Sequence, residues 1–318
     1  MAELASSVVA VDVGGTAIKA AVTTHDGTEL ATATRPTPVA DGPAAVIDAI
    51  VETVTGLREA VAGKATVEGV GLIPLGLVDP VAGVALFSAN AGWRDVPIRD
   101  QVAVRVGLPV AIDHDVRAAG LAESVSGAAQ GIAEALFVSI GTGIAAAVIT
   151  GGTVLSGASG MAGELGHIPV VPDGDRCACG QLGCLETYAS AAAVTRRYRT
   201  ASGHPQVTTE EVIALAGQGE SAAVAVWNQA LDALARALIS YILICDPSLI
   251  VIGGGMANAG EDLIGPLSAR VAAGLAFRSA PPIVVGAYGE HAGRVGAALI
   301  GWRAVGPVGP VGPVGQAR

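Results

Sequence analysis

The stretch that decides the fold of this 318-residue chain is VVAVDVGGTAIKAAVTT, Val8 to Thr24. Two apolar runs of strand length enclose the turn GGT, and a third run, LATATR, follows the turn HDGT. This spacing predicts three consecutive strands joined by tight turns. A similar pattern returns from Leu136 to Leu155 as LFVSIGTGIAAAVITGGTVL. The repetition predicts two related halves.

Strands and helices alternate along the rest of the chain, which is typical of the α/β class. We expect a helix over 42–62, one strand over 69–78, a strand over 108–113 and a helix from about Val116. Further helices are expected over 185–200, 211–217, 220–245 and 292–302, with strands at LIVIGGG and PIVVGAY. Cys245 continues the apolar stripe of the third of these helices, so we expect it in the core.

Composition excludes several classes of partner. The net charge of −10 leaves no broad basic face, so neither nucleic acid nor an anionic membrane is an expected partner. The N-terminal segment has no basic region before its apolar run and the chain has no uncharged stretch of membrane-spanning length, so we expect a cytoplasmic protein. A phosphate ligand would need local backbone N–H groups, a divalent cation, or both.

Three glycine-rich turns are candidate phosphate or nucleotide contacts. VDVGGT exposes glycine N–H groups where phosphate can approach, and Asp12 would then hold Mg²⁺. The alternative is an ordinary hairpin with a solvated aspartate. IGTGI, at 140–144, presents the same two possibilities in the second half. GGG, at 253–255, follows a strand, where it is either a ligand contact or a tight turn.

Asp115 follows a strand and opens the helix in IDHDVRAAGLAE. A carboxylate at a helix N-terminus is favoured by the helix dipole and can be only an N-cap. With phosphate turns nearby, it is also a candidate general base that takes a proton from a hydroxyl group.

Three of the four cysteines lie in CACGQLGCLE, at 177–186, and His167 ends GELGH ten residues earlier. One histidine and three thiolates form a closed tetrahedral Zn²⁺ site, so we predict that His167, Cys177, Cys179 and Cys184 bind zinc. Buried free thiols are the alternative.

Two glutamates, Glu164 and Glu186, flank these metal ligands in a chain with only 14% charged residues. Each carboxylate can accept a pair of hydrogen bonds from vicinal hydroxyls, as in a sugar site. The alternative is a pair of surface glutamates.

Taken together, these motifs resemble those of the ROK family of sugar kinases and repressors, particularly its glucokinase-like members. The resemblance rests on VDVGGTAIKAAV, SANAGWRDVPI, DHDVRAAGLAE, GTGIAAAVITGGTVLSGASGMAGELGH, CACGQLGCLE and IVIGGG, in this order. It implies an actin-like (ribonuclease H-like) α/β ATPase fold with two domains around a cleft. The implied activity is phosphorylation of the 6-hydroxyl of a hexose, most often glucose, by ATP with Mg²⁺.

The resemblance also implies roles for individual residues. Asp115 matches the catalytic base, and His167 matches a residue that binds zinc and lies beside the sugar. The positions that match sugar contacts are Asn90, Glu164, His167 and Glu186, with His114 and Asp115 beside them. The positions that match phosphate and nucleoside contacts are Asp12, Gly14, Gly15, Thr16, Thr142, Gly143, Gly254 and Gly255.

Four features depart from the family pattern. His114 replaces an asparagine beside the base, and Arg117 replaces a second asparagine. Leu75 stands where proline is usual, and alanines occupy 145–147 in place of a glycine run. These departures leave the preferred hexose open, so mannose, fructose, N-acetylglucosamine and N-acetylmannosamine are alternatives, as is polyphosphate as donor.

The resemblance predicts an N-terminal domain over 1–116 with a returning helix at 290–304, a larger domain over 117–289, and a disordered tail over 305–318. Relatives suggest a homodimer or homotetramer. A sugar-sensing, non-catalytic regulator is the rival class. Because such regulators carry a DNA-binding region before the first phosphate turn, which here begins near residue 8, we expect the kinase.

Overall fold

The computed structural model describes residues 4–306, which form thirteen strands and nine helices. The strands are β1 (Ala5–Val13), β2 (Ala17–Thr24), β3 (Glu29–Pro36), β4 (Ala65–Ile73), β5 (Leu77–Asp79), β6 (Val84–Ser88), β7 (Trp93–Val96), β8 (Val110–Ile112), β9 (Ala135–Ile140), β10 (Ile144–Thr150), β11 (Thr153–Val154), β12 (Leu249–Gly253) and β13 (Ile283–Val285). The helices are α1 (Pro43–Ala60), α2 (Ile98–Val106), α3 (Asp115–Ser126), α4 (Glu186–Ala189), α5 (Ala191–Ser202), α6 (Thr209–Gly217), α7 (Ser221–Cys245), α8 (Glu261–Ala273) and α9 (Ala292–Val305). The predicted disordered tail began at 305, but Val305 is still the last residue of α9. From residue 307 onward, the predicted tail lies outside the described residues.

Two sheets share one topology. The first has the order β3-β2-β1-β4-β8 and the second β11-β10-β9-β12-β13. In both, the first three strands along the chain are antiparallel, and the two added later are parallel to the first. This correspondence confirms the expected relation between the halves. A third, smaller sheet, β5-β6-β7, follows β4.

The chain forms two compact units. The first contains the chain up to Gln130, the segment Ser156–Gly160 and the chain from His291 onward, and the second contains Gly131–Leu155 and Met161–Glu290. Helix α3 belongs to the first unit because it packs against α9, so the division falls after α3 and not before it at residue 116.

The central strands are apolar on both faces because helices cover them. In β1, the run from Val8 to Val11 is completely buried. Helix α1 begins at Pro43, a favourable first helical position, and buries an apolar stripe at the three- and four-residue spacing of an amphipathic helix. In the second unit, α7 supplies the equivalent apolar face. None of the helices within 4–306 is long and apolar enough to span a lipid bilayer.

Several local predictions need correction. The expected single strand over 69–78 is two strands, β4 and β5, because the loop at Pro74–Gly76 interrupts it. The expected helix over 185–200 is broken at Ser190, whose side chain caps α5 by accepting from Ala193 N. Cys245 is exposed at the end of α7 and is not part of the core. A capping box of Thr208 and Glu211 opens α6.

Candidate active site

The turn between β1 and β2 carries the first predicted phosphate contacts, Gly14, Gly15 and Thr16. Gly14 N donates to Ala17 O at 2.9 Å, which closes the turn. Thr37 Oγ1 donates to Gly14 O at 2.6 Å, and Thr37 N donates to Thr16 O at 3.0 Å. Thr37 is buried after β3 and was not predicted from the sequence. It fixes the backbone of the turn while Gly15 and Thr16 stay exposed.

Asp12 lies near the end of β1, partly buried beneath this turn. Burial and the nearby charge of Asp115 raise its pKa from 3.8 to about 6, although Lys19 and Arg294 act in the opposite direction. A Cβ atom at Gly293 would lie 2.8 Å from Asp12 Oδ2, so the carboxylate faces the first turn of α9. The negative charge of Asp115 beside Asp12 is one that a divalent cation would offset, so Asp12 fits a Mg²⁺ ligand.

Asp115 is the first residue of α3, and the N-cap position belongs to His114. Asp115 Oδ1 lies 3.0 Å from His114 Nδ1 and accepts from Val116 N at 2.7 Å. Desolvation is the largest influence on its pKa and raises it, but the hydrogen bonds and positive charges around it, first of all those of His114, bring the pKa below its ordinary value. The side chain is 64% exposed. Asp115 is therefore ionised at neutral pH and accessible to a ligand.

Asn90 lies in the turn between β6 and β7 and is exposed. A Cβ atom at Gly15 would lie 4.0 Å from Asn90 Nδ2, which places the amide beside the β1–β2 turn. Trp93, at the start of β7, is buried and its Nε1 donates to Leu75 O at 2.8 Å, which anchors the loop that precedes β5. The first unit therefore brings together the turn, Asp12, Asn90 and Asp115.

In the second unit, the turn at 141–143 joins β9 and β10, in the position that GGT has in the first sheet. Strand β12 runs parallel to β9, so Gly254 follows β12 at the same edge of the sheet. A Cβ atom at Gly254 would overlap the backbone of Ile140. The structure thus brings Gly254 and Gly255 to the edge that carries Thr142 and Gly143.

Glu186 opens α4 and contacts the same turn. Its Oε2 accepts from Ile144 N at 2.9 Å, and a Cβ atom at Gly143 would lie only 2.5 Å from this oxygen. The predicted sugar ligand is therefore also a fixed part of the predicted phosphate turn. Sequence spacing placed Glu186 after the cysteine loop but gave no signal for this contact.

The GELGH segment packs against β10. Ala146 N donates to Gly163 O at 2.7 Å, and a Cβ atom at Gly163 would collide with Ala146 O, so only glycine permits this approach. The packing places Glu164 Oε2 at 4.0 Å from His167 Nε2, with both side chains about one-third exposed. Ala146, the middle one of the three alanines at 145–147, lies in this contact.

The four predicted metal ligands lie together, with their donor atoms within 4.8 Å of one another. Cys177 Sγ lies 3.7 Å from His167 Nδ1, and Cys179 Sγ lies 3.7 Å from Cys184 Sγ. Ligands at about 2.3 Å from a tetrahedral ion are separated by about 3.7 Å, so the donor set and its spacing fit a closed metal site. Since His167 directs Nδ1 to this cluster, its Nε2 edge is left for Glu164 and a ligand.

A pocket of about 530 Å³ lies beside Thr142 and Glu186, between α5 and the cysteine loop. Arg176 and Arg196 line it, and neither forms an ion pair within the described residues. The pocket therefore combines these two arginines with two carboxylates, Asp175 and Glu186, next to the second glycine turn.

Known proteins share this arrangement along most of the chain. The protein-family sequence model described as "ROK family" matches residues 8–303. The chain therefore belongs to the ROK family, as its motifs predicted. The glucokinase of Thermotoga maritima is 35% identical over 308 residues, which cover 92% of this chain and 96% of that protein.

Solved structures agree with this assignment. A ROK hexokinase from Thermus thermophilus has a TM-score of 0.84 and 36% identity, covering 94% of this chain and 99% of its own. A ROK glucokinase from Streptomyces griseus in complex with glucose and AMPPNP has a TM-score of 0.79 and 32% identity, covering 93% of this chain and 99% of its own. The predicted fold, the actin-like α/β fold of sugar kinases, is confirmed.

Proposed function

We propose that this protein is an ATP-dependent hexose kinase that phosphorylates a 6-hydroxyl group, with glucose as its main acceptor. The observation that carries the proposal is Asp115, an accessible carboxylate held by His114 and Val116 N at a strand-to-helix turn of this fold. The relatives named glucokinase, one of them bound to glucose and AMPPNP, support the same reaction.

Asp115 acts as the general base. Its ionised carboxylate accepts a hydrogen bond from the 6-hydroxyl and orients the oxygen for in-line attack on the γ-phosphorus. As the new O–P bond forms, the bond between the γ-phosphorus and the bridging oxygen of ADP breaks, and the hydroxyl proton passes to Asp115. A pKa below the ordinary value keeps Asp115 ionised at neutral pH, so the carboxylate can accept this proton.

Glu164 and Glu186 each accept hydrogen bonds from neighbouring sugar hydroxyls, and Asn90 and the Nε2 edge of His167 complete the sugar contacts. His114 stands where relatives have an amide, and its Nδ1 is turned toward Asp115. An imidazole offers fewer hydrogen-bond groups than an amide, so we expect His114 to influence which hexose is preferred.

The phosphates of ATP bind the glycine turns through backbone N–H groups and the hydroxyls of Thr16 and Thr142, and Gly254 and Gly255 lie on the nucleoside side. Asp12 would hold Mg²⁺, which when bound neutralises phosphate charge. Gly143 lies beside Thr142 in the second of these glycine turns, at 141–143. Arg176 and Arg196, which form no ion pair within residues 4–306, support anion binding beside it.

Zinc is the proposed occupant of the cysteine cluster, because three thiolates and one imidazole in a closed tetrahedral set favour it. Its role is structural: it would fix the loop that places His167 and Glu186. The cytoplasmic location, a homodimeric or homotetrameric state and the absence of nucleic-acid binding stay predictions.

The kinase is tested by ADP formation from Mg-ATP with glucose, mannose, fructose, N-acetylglucosamine and N-acetylmannosamine, and with polyphosphate as an alternative donor. Asp115→Asn should lower kcat by about 10²- to 10⁴-fold, the usual contribution of a general base. The matched control is Asp100→Asn, which changes an acidic residue in the first turn of α2 in the same unit. Wild-type turnover in Asp115→Asn would exclude the mechanism, and hexose binding without turnover in the wild type would favour the sugar-sensing regulator.

A further inference from the structure

Arg117 is the most deeply buried arginine of the first unit among the described residues, with its side chain 3% exposed. Its Nε donates to Asp113 Oδ1 at 2.7 Å, and its Nη1 donates to Gly160 O at 2.6 Å. Its Nη2 is buried and has no acceptor within residues 4–306. The guanidinium thus joins the turn before α3 to the end of the segment Ser156–Gly160.

Stability alone does not explain why the charged side chain of Arg117 is buried. Burying a charge requires compensation for every lost contact with water, and Arg117 Nη2 has none within the described part of the chain. Replacement of such groups by apolar side chains of similar volume is often neutral or stabilising. A role in holding neighbouring groups at a defined position accounts better for a buried guanidinium here.

The contacts of Arg117 lead to the proposed base in two steps. Asp113 Oδ1 accepts from both Arg117 Nε and His114 N, each at 2.7 Å. His114 Nδ1 in turn lies 3.0 Å from Asp115 Oδ1. Because both links share the short turn between β8 and α3, a shift of Asp113 would be passed to His114 and from there to Asp115.

We propose that Arg117 is a positioning residue for phosphoryl transfer: through Asp113 it fixes the turn that aims Asp115 at the acceptor hydroxyl, and through Gly160 it fixes the adjoining segment. This inference rests on the proposed kinase function and adds a residue that does not touch the substrate. A misplacement of about 1 Å at a reacting group can lower the rate by about 100-fold.

Removing the charge of Arg117 should change the pH dependence of kcat/KM, which removing a purely structural side chain would leave unchanged. The charged groups that face Asp115 are His114 and Arg117 from its own turn and Asp12 from β1, and Asp12 itself lies beside Lys19 and Arg294. Arg117 lowers the pKa of Asp115 while Asp12 repels its negative charge. Loss of Arg117 should therefore move the acidic limb of kcat/KM to higher pH, because the base must be ionised to act.

The experiment compares wild-type protein with Arg117→Met, Arg117→Lys and the control Arg58→Met, using Mg-ATP and the best hexose. Arg58 donates a comparable guanidinium bond, from Nη1 to Val106 O at 2.7 Å, but lies away from the turn. Arg117→Met should lower kcat by up to about 100-fold and shift the acidic limb upward, with a smaller change in hexose KM. Arg117→Lys keeps the charge but not the two-pronged contact, so it should lower kcat while leaving the acidic limb in place.

Each outcome separates the inference from the function on which it rests. A wild-type protein that forms no ADP with any hexose refutes the kinase and this inference together. An active wild type with an Arg117→Met variant that melts earlier but keeps kcat and the acidic limb refutes only the positioning role. If Arg117→Met does not fold, the lysine variant decides: reduced kcat at a wild-type acidic limb supports the role, and wild-type kcat overturns it.

Discussion

Replacing Gly143 by alanine should selectively weaken hexose binding. The added Cβ would lie 2.5 Å from Glu186 Oε2, well inside van der Waals contact, so the carboxylate must move and release its 2.9 Å bond from Ile144 N. A hydrogen bond to a charged group contributes about 1.5 to 3 kcal/mol. If Glu186 is held in its sugar-binding position by this bond, the hexose KM should rise by about 10- to 100-fold, because each 1.4 kcal/mol corresponds to a factor of ten.

Gly141→Ala is the matched control, because it adds the same methyl group to the same turn at a position with nothing within 4 Å. Steady-state kinetics should be measured with hexose and ATP varied separately, together with thermal melting of each variant. The reasoning is refuted if both variants have the same hexose KM. It is also refuted if Gly143→Ala changes only the KM for ATP, because the methyl group would then act on the phosphates and not through Glu186.

Two further predictions concern stability. Asp12 has a folded pKa of about 6 against 3.8 when unfolded, so its ionisation destabilises the fold as pH rises through 6, and this penalty is absent below about pH 4. The pKa difference corresponds to about 3 kcal/mol of unfolding free energy. In urea unfolding, Asp12→Asn should therefore be more stable than wild type at pH 7 and equally stable at pH 4, while losing activity. Equal stability of the two proteins at pH 7 would contradict this prediction. Zinc that saturates its site at about 1,000 times Kd stabilises by about 4 kcal/mol. Chelation or Cys184→Ser should therefore lower Tm on the order of 10 °C, whereas Cys245→Ser, an exposed cysteine outside the cluster, should not; an unchanged Tm after zinc removal would exclude a structural site.

The sequence predicted most of the framework because the framework depends on local patterns. The apolar runs and glycine turns of Val8–Thr24 and Leu136–Leu155 are strands joined by hairpins in the structure. The cysteine cluster was predictable for a different reason: few residue sets other than three cysteines and a histidine form a closed tetrahedral site. The four donor positions lie within eighteen residues, from His167 to Cys184, which leaves little freedom of arrangement.

What the sequence did not predict depends on contacts between distant residues. The bond from Thr37 to Gly14 and the contact of Glu186 with Ile144 N join positions that are 23 and 42 residues apart. No periodicity marks such pairs. Cys245 shows the opposite error, since it continues an apolar stripe but lies at the last residue of α7, where the helix has already left the core. A periodic pattern predicts which face of a helix a residue lies on, but not how far along the helix other elements cover that face.

The repeated topology also shows where functional difference enters. In the first unit, the connection from β3 to the next helix is the short segment 37–42, and its Thr37 fixes the glycine turn. After the second sheet's β11, the connection to the next helix runs over 155–185; its part in the second unit, from Met161 onward, contains Glu164, His167 and all three clustered cysteines. So long a connection has little regular structure, and the proposed metal would offset part of the conformational entropy of ordering it. On the proposed function, the duplicated turns would bind phosphate in both units. The long connection, ordered by the proposed zinc, would then provide the acceptor contacts that distinguish one sugar from another.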